Sequence, residues 1–216
     1  MLNEFHNVKS PLGDLGVVFL SLGSNLGDKQ KNIETAYEKI SERIGNIVSA
    51  SAFYVSSAVG FQSDNLFVNS VCEVNTDLDI FTVVAITQEI EKEIGRAEKS
   101  SNDTYSDRLI DIDILLADNL ILESPELVIP HPKMHLREFV LVPMCDIAPD
   151  VVHPVLGKSM RELLKQISTS SLPHTPPRTT PLQTFAITAL SKNDTTARPL
   201  FAPIAQPIDK ATIYHN

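Results

Sequence analysis

Apolar and polar positions along the chain follow two rhythms, one of period two and one of period 3.6, and the changes of rhythm mark the elements. The run VVFLSL at 17–22 is apolar and β-rich and ends in the turn cluster Gly23-Ser24-Asn25-Leu26-Gly27-Asp28, which predicts a strand. Asp28 is placed to cap a helix whose apolar positions Ile33, Ala36, Tyr37, Ile40 and Ile44 keep helical spacing until Gly45-Asn46 stops it. Residues 47–55 read as one strand, 56–65 as a loop, and 66–74 as an alternating strand with Phe67, Asn69, Val71 and Glu73 on one face. A helix is predicted over 80–94, with Phe81, Val84, Ile86, Ile90 and Ile94 inward and Gly95 closing it. Residues 97–109 hold almost nothing apolar besides Tyr105 and read as a long, poorly anchored loop, a kind that is usually functional or disordered. A strand over 110–116 turns through Asp118-Asn119 into a short strand at 120–122, and helices follow over roughly 136–146 and 159–166.

The order β-α-β-β-α-β predicts an α+β fold of the ferredoxin-like, split βαβ kind, an antiparallel sheet with helices packed on it. Of the 14 prolines, seven fall after residue 168, in a stretch dense in Ser and Thr and without glycine. The chain therefore divides into a domain at 1–167 and a tail at 168–216 that reads as flexible or loosely docked, a short structured extension being the competing view. Lys and Arg total 18 against 27 Asp and Glu, a formal charge of −9. That balance argues against non-specific binding to nucleic acid or to an anionic membrane. No stretch of about 18 apolar residues is present to span a bilayer. Cys72 and Cys145 each lie in an apolar run and read as reduced core residues of a cytoplasmic protein.

The sharpest local signal is Arg108-Leu-Ile-Asp111-Ile-Asp113-Ile114. On a strand Asp111 and Asp113 share a face, about 6.6 Å apart along the chain, while Ile110, Ile112 and Ile114 fill the other. Two readings fit: a half-solvated strand with an acidic outer face, or a hard-cation site that holds Mg²⁺ together with substrate phosphates. Arg108 is placed to offset the like charges or to clamp a phosphate. His131 and His135 suggest a zinc pair, but Pro132 interrupts a helix across them, no Glu follows the first His, and no third ligand is evident. His131, Lys133 and Arg137 read better as donors to an anion near a helix start. The glycine cluster at 23–28 lacks phosphate-loop spacing and needs no ligand as a strand-to-helix turn.

Taken in order, these residues resemble the 6-hydroxymethyl-7,8-dihydropterin pyrophosphokinase family. The matching pieces are LGSNLG at 22–27; SAFY at 51–54 with Gly60, Gln62 and Phe67-Val-Asn69; Gln88-Glu-Ile-Glu91 through Gly95-Arg96; Tyr105-Ser-Asp-Arg108 with Asp111 and Asp113; Pro130-His131; Met134 to Phe139; and Pro143 with Ile147-Ala-Pro149. The resemblance covers roughly 17–166 and implies transfer of pyrophosphate from ATP to the pterin's hydroxymethyl group, with release of AMP. By the same resemblance Asp111 and Asp113 would hold two Mg²⁺ ions, and Arg96 and Arg108 would be catalytic. Gln88, Glu91, Ile114, His131 and Arg137 would lie on the ATP side. Ser56, Val59, Gly60, Phe67, Asn69, Tyr105 and Phe139 would bind the pterin, with the 97–109 loop closing over the site. Glu98 and Glu126 stand where some members place arginines, and the tail matches nothing in the family. A monomer is expected. The competing class, a ferredoxin-like module that binds nucleotide or RNA without catalysis, predicts a basic sheet face with paired exposed aromatics.

Overall fold

The computed structural model describes residues 16–60, 62–95 and 107–170. Arg96 and Tyr105, the segment around them, and the tail beyond 170 lie outside the described residues. Strand β1 (Val17–Ser24), helix α1 (Lys29–Arg43), strands β2 (Asn46–Ala50), β3 (Tyr54–Ser56) and β4 (Phe67–Asn75), helix α2 (Ile80–Ile94) and strand β5 (Asp111–Ala117) come first. Short strands β6 (Leu122–Glu123) and β7 (Val128–Ile129), a 3-10 turn (Met134–Leu136) and helices α3 (Glu138–Ile147) and α4 (Met160–Ser170) follow. The main sheet runs β2-β4-β1-β5, antiparallel throughout, with β3 continuing β2 along the same edge of β4. Because β4 lies between β1 and β2, the two strands joined by α1, this is the split βαβ arrangement.

Burial runs nearly unbroken through β1 and β4, polar residues such as Ser21, Asn69 and Ser70 included, because both faces of the sheet are covered. Val18, Leu20 and Leu22 pack against Ile33, Ile40, Ile80 and Ile90 of α1 and α2. Phe19 and Val71 face the other way, onto Leu141 and Met144 of α3 and Met160 and Leu163 of α4. Strand β5 differs. Its first half alternates, with Asp111 and Asp113 partly open and Ile112 and Ile114 buried, whereas Leu115 to Ala117 are buried throughout. One face of the sheet is therefore uncovered at the start of β5.

Five elements depart from the sequence pattern. The predicted strand 47–55 is two strands, because three residues, 51–53, lie opposite only residues 70 and 71 of β4. Ser51 absorbs the extra residue: its Oγ accepts from the Val71 N–H at 3.0 Å, and the Ala52 N–H turns out to Asp146 Oδ2 at 3.3 Å. Helix α2 buries Ile80, Val83, Thr87, Ile90 and Glu91 and leaves Phe81 exposed, so its inward face is rotated from the predicted one. Two polar members of that face, Thr87 and Glu91, hid it. Residues 120–122 do not turn back onto β5; Leu122 and Glu123 pair instead with Ile129 and Val128. The helix predicted at 136–146 begins later, at Glu138, after a separate 3-10 turn. Helix α4 starts with a capping box, Glu162 accepting from the Ser159 N–H while Ser159 Oγ accepts from the Glu162 N–H. It runs to Ser170, past the expected domain boundary at 167.

Candidate active site

The antiparallel register sets Asp111 opposite Gly23 and Gly23 opposite Asn69, and one row along it sets Asp113 opposite Ser21. Directly paired residues share a face. Both carboxylates, the glycine and the amide therefore lie on one surface, the face that α3 covers further along at Phe19 and Val71. A cavity of about 680 Å³ opens on that surface, and Arg137 and Phe139, where α3 begins, line it. Gly23 keeps the floor open: a Cβ there would sit 3.3 Å from Asn69 Oδ1 and 3.7 Å from the Phe67 ring.

Each carboxylate has an arginine beside it. Arg108 Nη1 lies 2.7 Å from Asp111 Oδ2, and Arg137 Nη1 lies 3.9 Å from Asp113 Oδ2. The Arg137 guanidinium is also 5.6 Å from the centre of the Phe139 ring, within cation–π range. Enclosure in the cavity and the adjacent Asp111 carboxylate raise the Asp113 pKa to about 7, against the opposing pull of Arg137. His131 is pushed the other way, to about 4, by burial and by the Arg137 charge, so its ring is neutral at pH 7. Its Nδ1 accepts from the Lys133 N–H at 3.1 Å, which leaves the proton on Nε2. Of the three donors read from the sequence, Lys133 and Arg137 carry charge, while His131 offers a hydrogen bond without one. His135 does not join it in a metal pair but stacks edge-on against His153, with ring centres 6.1 Å apart.

Glu91 of α2 is 4% exposed, and its Oε1 accepts from the Ile112 N–H at 2.8 Å. Strand β5 is an edge of the sheet, so backbone donors on its outer side lack a ladder partner. Glu91 supplies one at the residue between the two aspartates. On the far side, Asn69 Nδ2 donates to Ser56 Oγ at 2.9 Å, which fixes the amide against the floor.

The cavity gathers Asp111, Asp113, Arg108, Gln88, Glu91, Ile114, His131 and Arg137 with Ser56, Val59, Gly60, Phe67, Asn69 and Phe139. Residues 124–127, between β6 and β7, and Val128 at the start of β7 form another wall. Arg96 and Tyr105 lie outside the described residues, so the cavity is stated without them. Sequence reasoning left out Ser21 and Gly23, whose value comes from their register partners, and it left out Asn25. Asn25 is 1% exposed and holds Arg108 at both backbone atoms, accepting from its N–H at 2.7 Å and donating to its C=O at 3.1 Å. Arg108 is thus fixed by its backbone, in contrast to the poorly anchored segment its polar surroundings suggested.

Residues 19–149 match the model of the 7,8-dihydro-6-hydroxymethylpterin-pyrophosphokinase family. The 2-amino-4-hydroxy-6-hydroxymethyldihydropteridine pyrophosphokinase of Porphyromonas gingivalis is 43% identical over 141 residues, covering 65% of this chain and 95% of that protein. The Aquifex aeolicus protein of the same name is 36% identical over 148 residues, 68% of this chain and 90% of its own length. The folic acid synthesis protein of Dictyostelium discoideum matches at 38% over 156 residues, 72% of this chain but 23% of that longer protein. Among solved structures, an HPPK-DHPS in complex with substrates aligns with a TM-score of 0.58 at 14% identity, over 73% of this chain. The Plasmodium falciparum HPPK-DHPS with pteroate aligns with a TM-score of 0.59 at 15% identity, over 72%. This chain spans 44% and 45% of those two proteins, and at such identities the likeness is one of fold. From its family match and from relatives matched over nearly their full length, the chain belongs to the 7,8-dihydro-6-hydroxymethylpterin-pyrophosphokinase family.

Proposed function

We propose that the cavity transfers pyrophosphate from ATP to the hydroxymethyl oxygen of 6-hydroxymethyl-7,8-dihydropterin, releasing AMP, in a cytoplasmic monomer. The observation that carries this reading is the pair Asp111 and Asp113 on one strand face, each beside an arginine, in a cavity that also holds Asn69 and Phe139. Two adjacent carboxylates, one of them raised to about 7 by enclosure and then by its neighbour's charge, are hard oxygen donors suited to Mg²⁺. We assign two ions to them. When bound, the metal neutralises and aligns the ATP phosphates.

The chain's own residues position both substrates. Arg108, Arg137 and Lys133 face the phosphates, and His131 donates from Nε2 without adding charge. Gln88, Glu91 and Ile114 line the nucleotide side. The flat pterin lies against Phe139, an arrangement favourable for a heteroaromatic ring, and Asn69, held by Ser56, reads its edge. The pterin hydroxyl oxygen then bonds to the β-phosphorus, its proton passing to solvent, as the bond from that phosphorus to the AMP oxygen breaks. Arg108, together with Arg96, which lies outside the described residues, is assigned to stabilise the charge that moves onto AMP. Catalysis of this kind is chiefly positioning.

The test is AMP release from ATP in Mg²⁺ buffer with and without the reduced pterin alcohol. AMP formed only with the pterin is the expected result; ADP as product, or no turnover, overturns the proposal. Asp113→Ala is expected to lower turnover by at least about 100-fold, and a rate near that of the parent chain refutes the metal assignment.

A further inference from the structure

Three segments distant in sequence meet at one exposed carboxylate beside the site. Asp107 Oδ1 accepts from Asn25 Nδ2 at 2.6 Å and from Ser63 Oγ at 2.6 Å, and its Oδ2 accepts from Asn65 Nδ2 at 2.7 Å. Asn25 is the same residue that holds both backbone atoms of Arg108. Ser63 and Asn65 belong to the loop between β3 and β4, whose earlier residues Ser57, Val59 and Gly60 line the cavity. The far end of that loop is held separately, Lys29 Nζ donating to the Leu66 C=O at 2.8 Å. The Ser63 hydroxyl and the Asn65 amide keep the Asp107 carboxyl below its ordinary range, as expected for a group whose charged form receives these bonds.

We infer that Asp107 is a positioning residue that couples the β3–β4 loop to Arg108, so that filling the cavity beside that loop and setting the Arg108 guanidinium against Asp111 are one event. The inference deepens the proposed function and rests on its assignment of the β3–β4 loop to the pterin. Asp107 itself does not line the cavity. It acts by tying the loop on one side and, through Asn25, the Arg108 backbone on the other. A shift of the loop on binding therefore reaches an arginine across 40 or more residues of sequence.

The experiment is a double-mutant cycle in the full chain, Asp107→Ala and Asn65→Ala singly and together, read by pterin-dependent AMP release. Nucleotide affinity is measured separately with the non-hydrolysable α,β-methylene analogue of ATP. Asp107→Ala is expected to lower kcat/KM for the pterin alcohol about tenfold, the scale of hydrogen bonds to a charged group, with analogue affinity changed by less than about twofold. Adding Asn65→Ala should cost nothing further, and Asp107→Asn, which keeps one acceptor oxygen, should recover part of the loss. Additive losses, or an equal loss of analogue affinity, overturn the coupling. Hydrogen exchange supplies a readout independent of turnover: in Asp107→Ala the amides of Arg108 and Asn65 should exchange faster together, and unchanged exchange at either one overturns the inference. Should Asp107→Ala fail to fold, Asn65→Ala carries the same test, with a smaller loss in the same direction expected. Absence of pterin turnover by the parent chain instead defeats the proposed function and leaves the coupling to be decided by exchange alone.

Discussion

Asp113 and His131 line the same cavity and are displaced in opposite directions by it, which gives each a sign in the stability of the chain. Folded Asp113, raised to about 7 from 3.8, retains a proton that the unfolded chain has already released. Its contribution to stability therefore falls as pH rises from about 4 to 7. Folded His131, lowered to about 4 from 6.5, lacks a proton that the unfolded ring still holds, so its contribution rises over about pH 4 to 6.5. The two slopes oppose each other across that shared window. Above it only the cost of the ionised carboxylate pair remains. In metal-free buffer at pH 8, Asp113→Asn is expected to melt higher than the parent chain although it is inactive, and Mg²⁺ should raise the parent's melting temperature more than the variant's. Equal melting temperatures in chelator at pH 8 would show that neither enclosure nor the Asp111 charge burdens the ionised Asp113. Stability surrendered to keep two like charges side by side is a familiar compromise at functional sites.

The aspartates were legible in the sequence because strand alternation turns a three-dimensional face into a period-two pattern. Ser21, Gly23, Asn25 and Asp107 were not, because each owes its role to a partner far along the chain. The Asn25–Asp107 bond spans 82 residues, and nothing local to either side chain announces it.

At the scale of elements, the helices and strands followed their apolar spacing except where a polar group sits on a buried face or a bulge adds a residue. Thr87 and Glu91 disguised the inward face of α2, and the extra residue at 51–53 split one predicted strand into two. The same scale governs how the arginine-bearing segment is seated. Leu109 fits between two glycines with positive φ, Gly27 at 62° and Gly95 at 116°. A Cβ would lie 3.3 Å from Leu109 Cδ2 at the first and 2.7 Å from Leu109 Cδ1 at the second. Gly95 ends α2 in the left-handed conformation, where a side chain costs about 1–2 kcal/mol. Gly95→Ala is therefore expected to lower stability by at least that amount and to reduce kcat, since Leu109, pressed from one side and held by Gly27 on the other, must displace Arg108 next to it. Combining it with Leu109→Ala should relieve the crowding but not the backbone strain, recovering only part of the melting temperature. An unchanged melting temperature for Gly95→Ala would mean that the α2 terminus can relax freely and that Leu109 does not seat the arginine.

At the scale of the whole molecule, the site exists because the sheet is covered on both faces except at one end. Helices α1 and α2 cover one face completely enough to bury Val18, Leu20 and Leu22, while α3 and α4 cover the other only as far as Phe19, Val71 and Leu115. The element order β-α-β-β-α-β announced a split βαβ sheet with helices packed on it, but the alternation read at 66–74 gave no sign that both faces are covered. Nor did the sequence announce where the second layer stops, which depends on how α3 is held. Part of that hold is α4, whose Met160 and Leu163 are 0% and 3% exposed against α3. Burial of two such side chains is worth about 3–6 kcal/mol, a large share of the roughly 5–15 kcal/mol by which a domain is stable. We propose that the catalytic unit ends with α4 at Ser170, three residues beyond the boundary that composition suggested. A chain cut after 170 should keep its melting temperature and its pterin-dependent rate. A chain cut after 158, which removes α4, should lose cooperative melting because Leu141 and Met144 are then uncovered. Cooperative, unshifted melting of the shorter chain would show that α3 stays in place without α4. Loss of rate from the longer one would show that residues beyond 170 take part in the reaction or in holding the second layer.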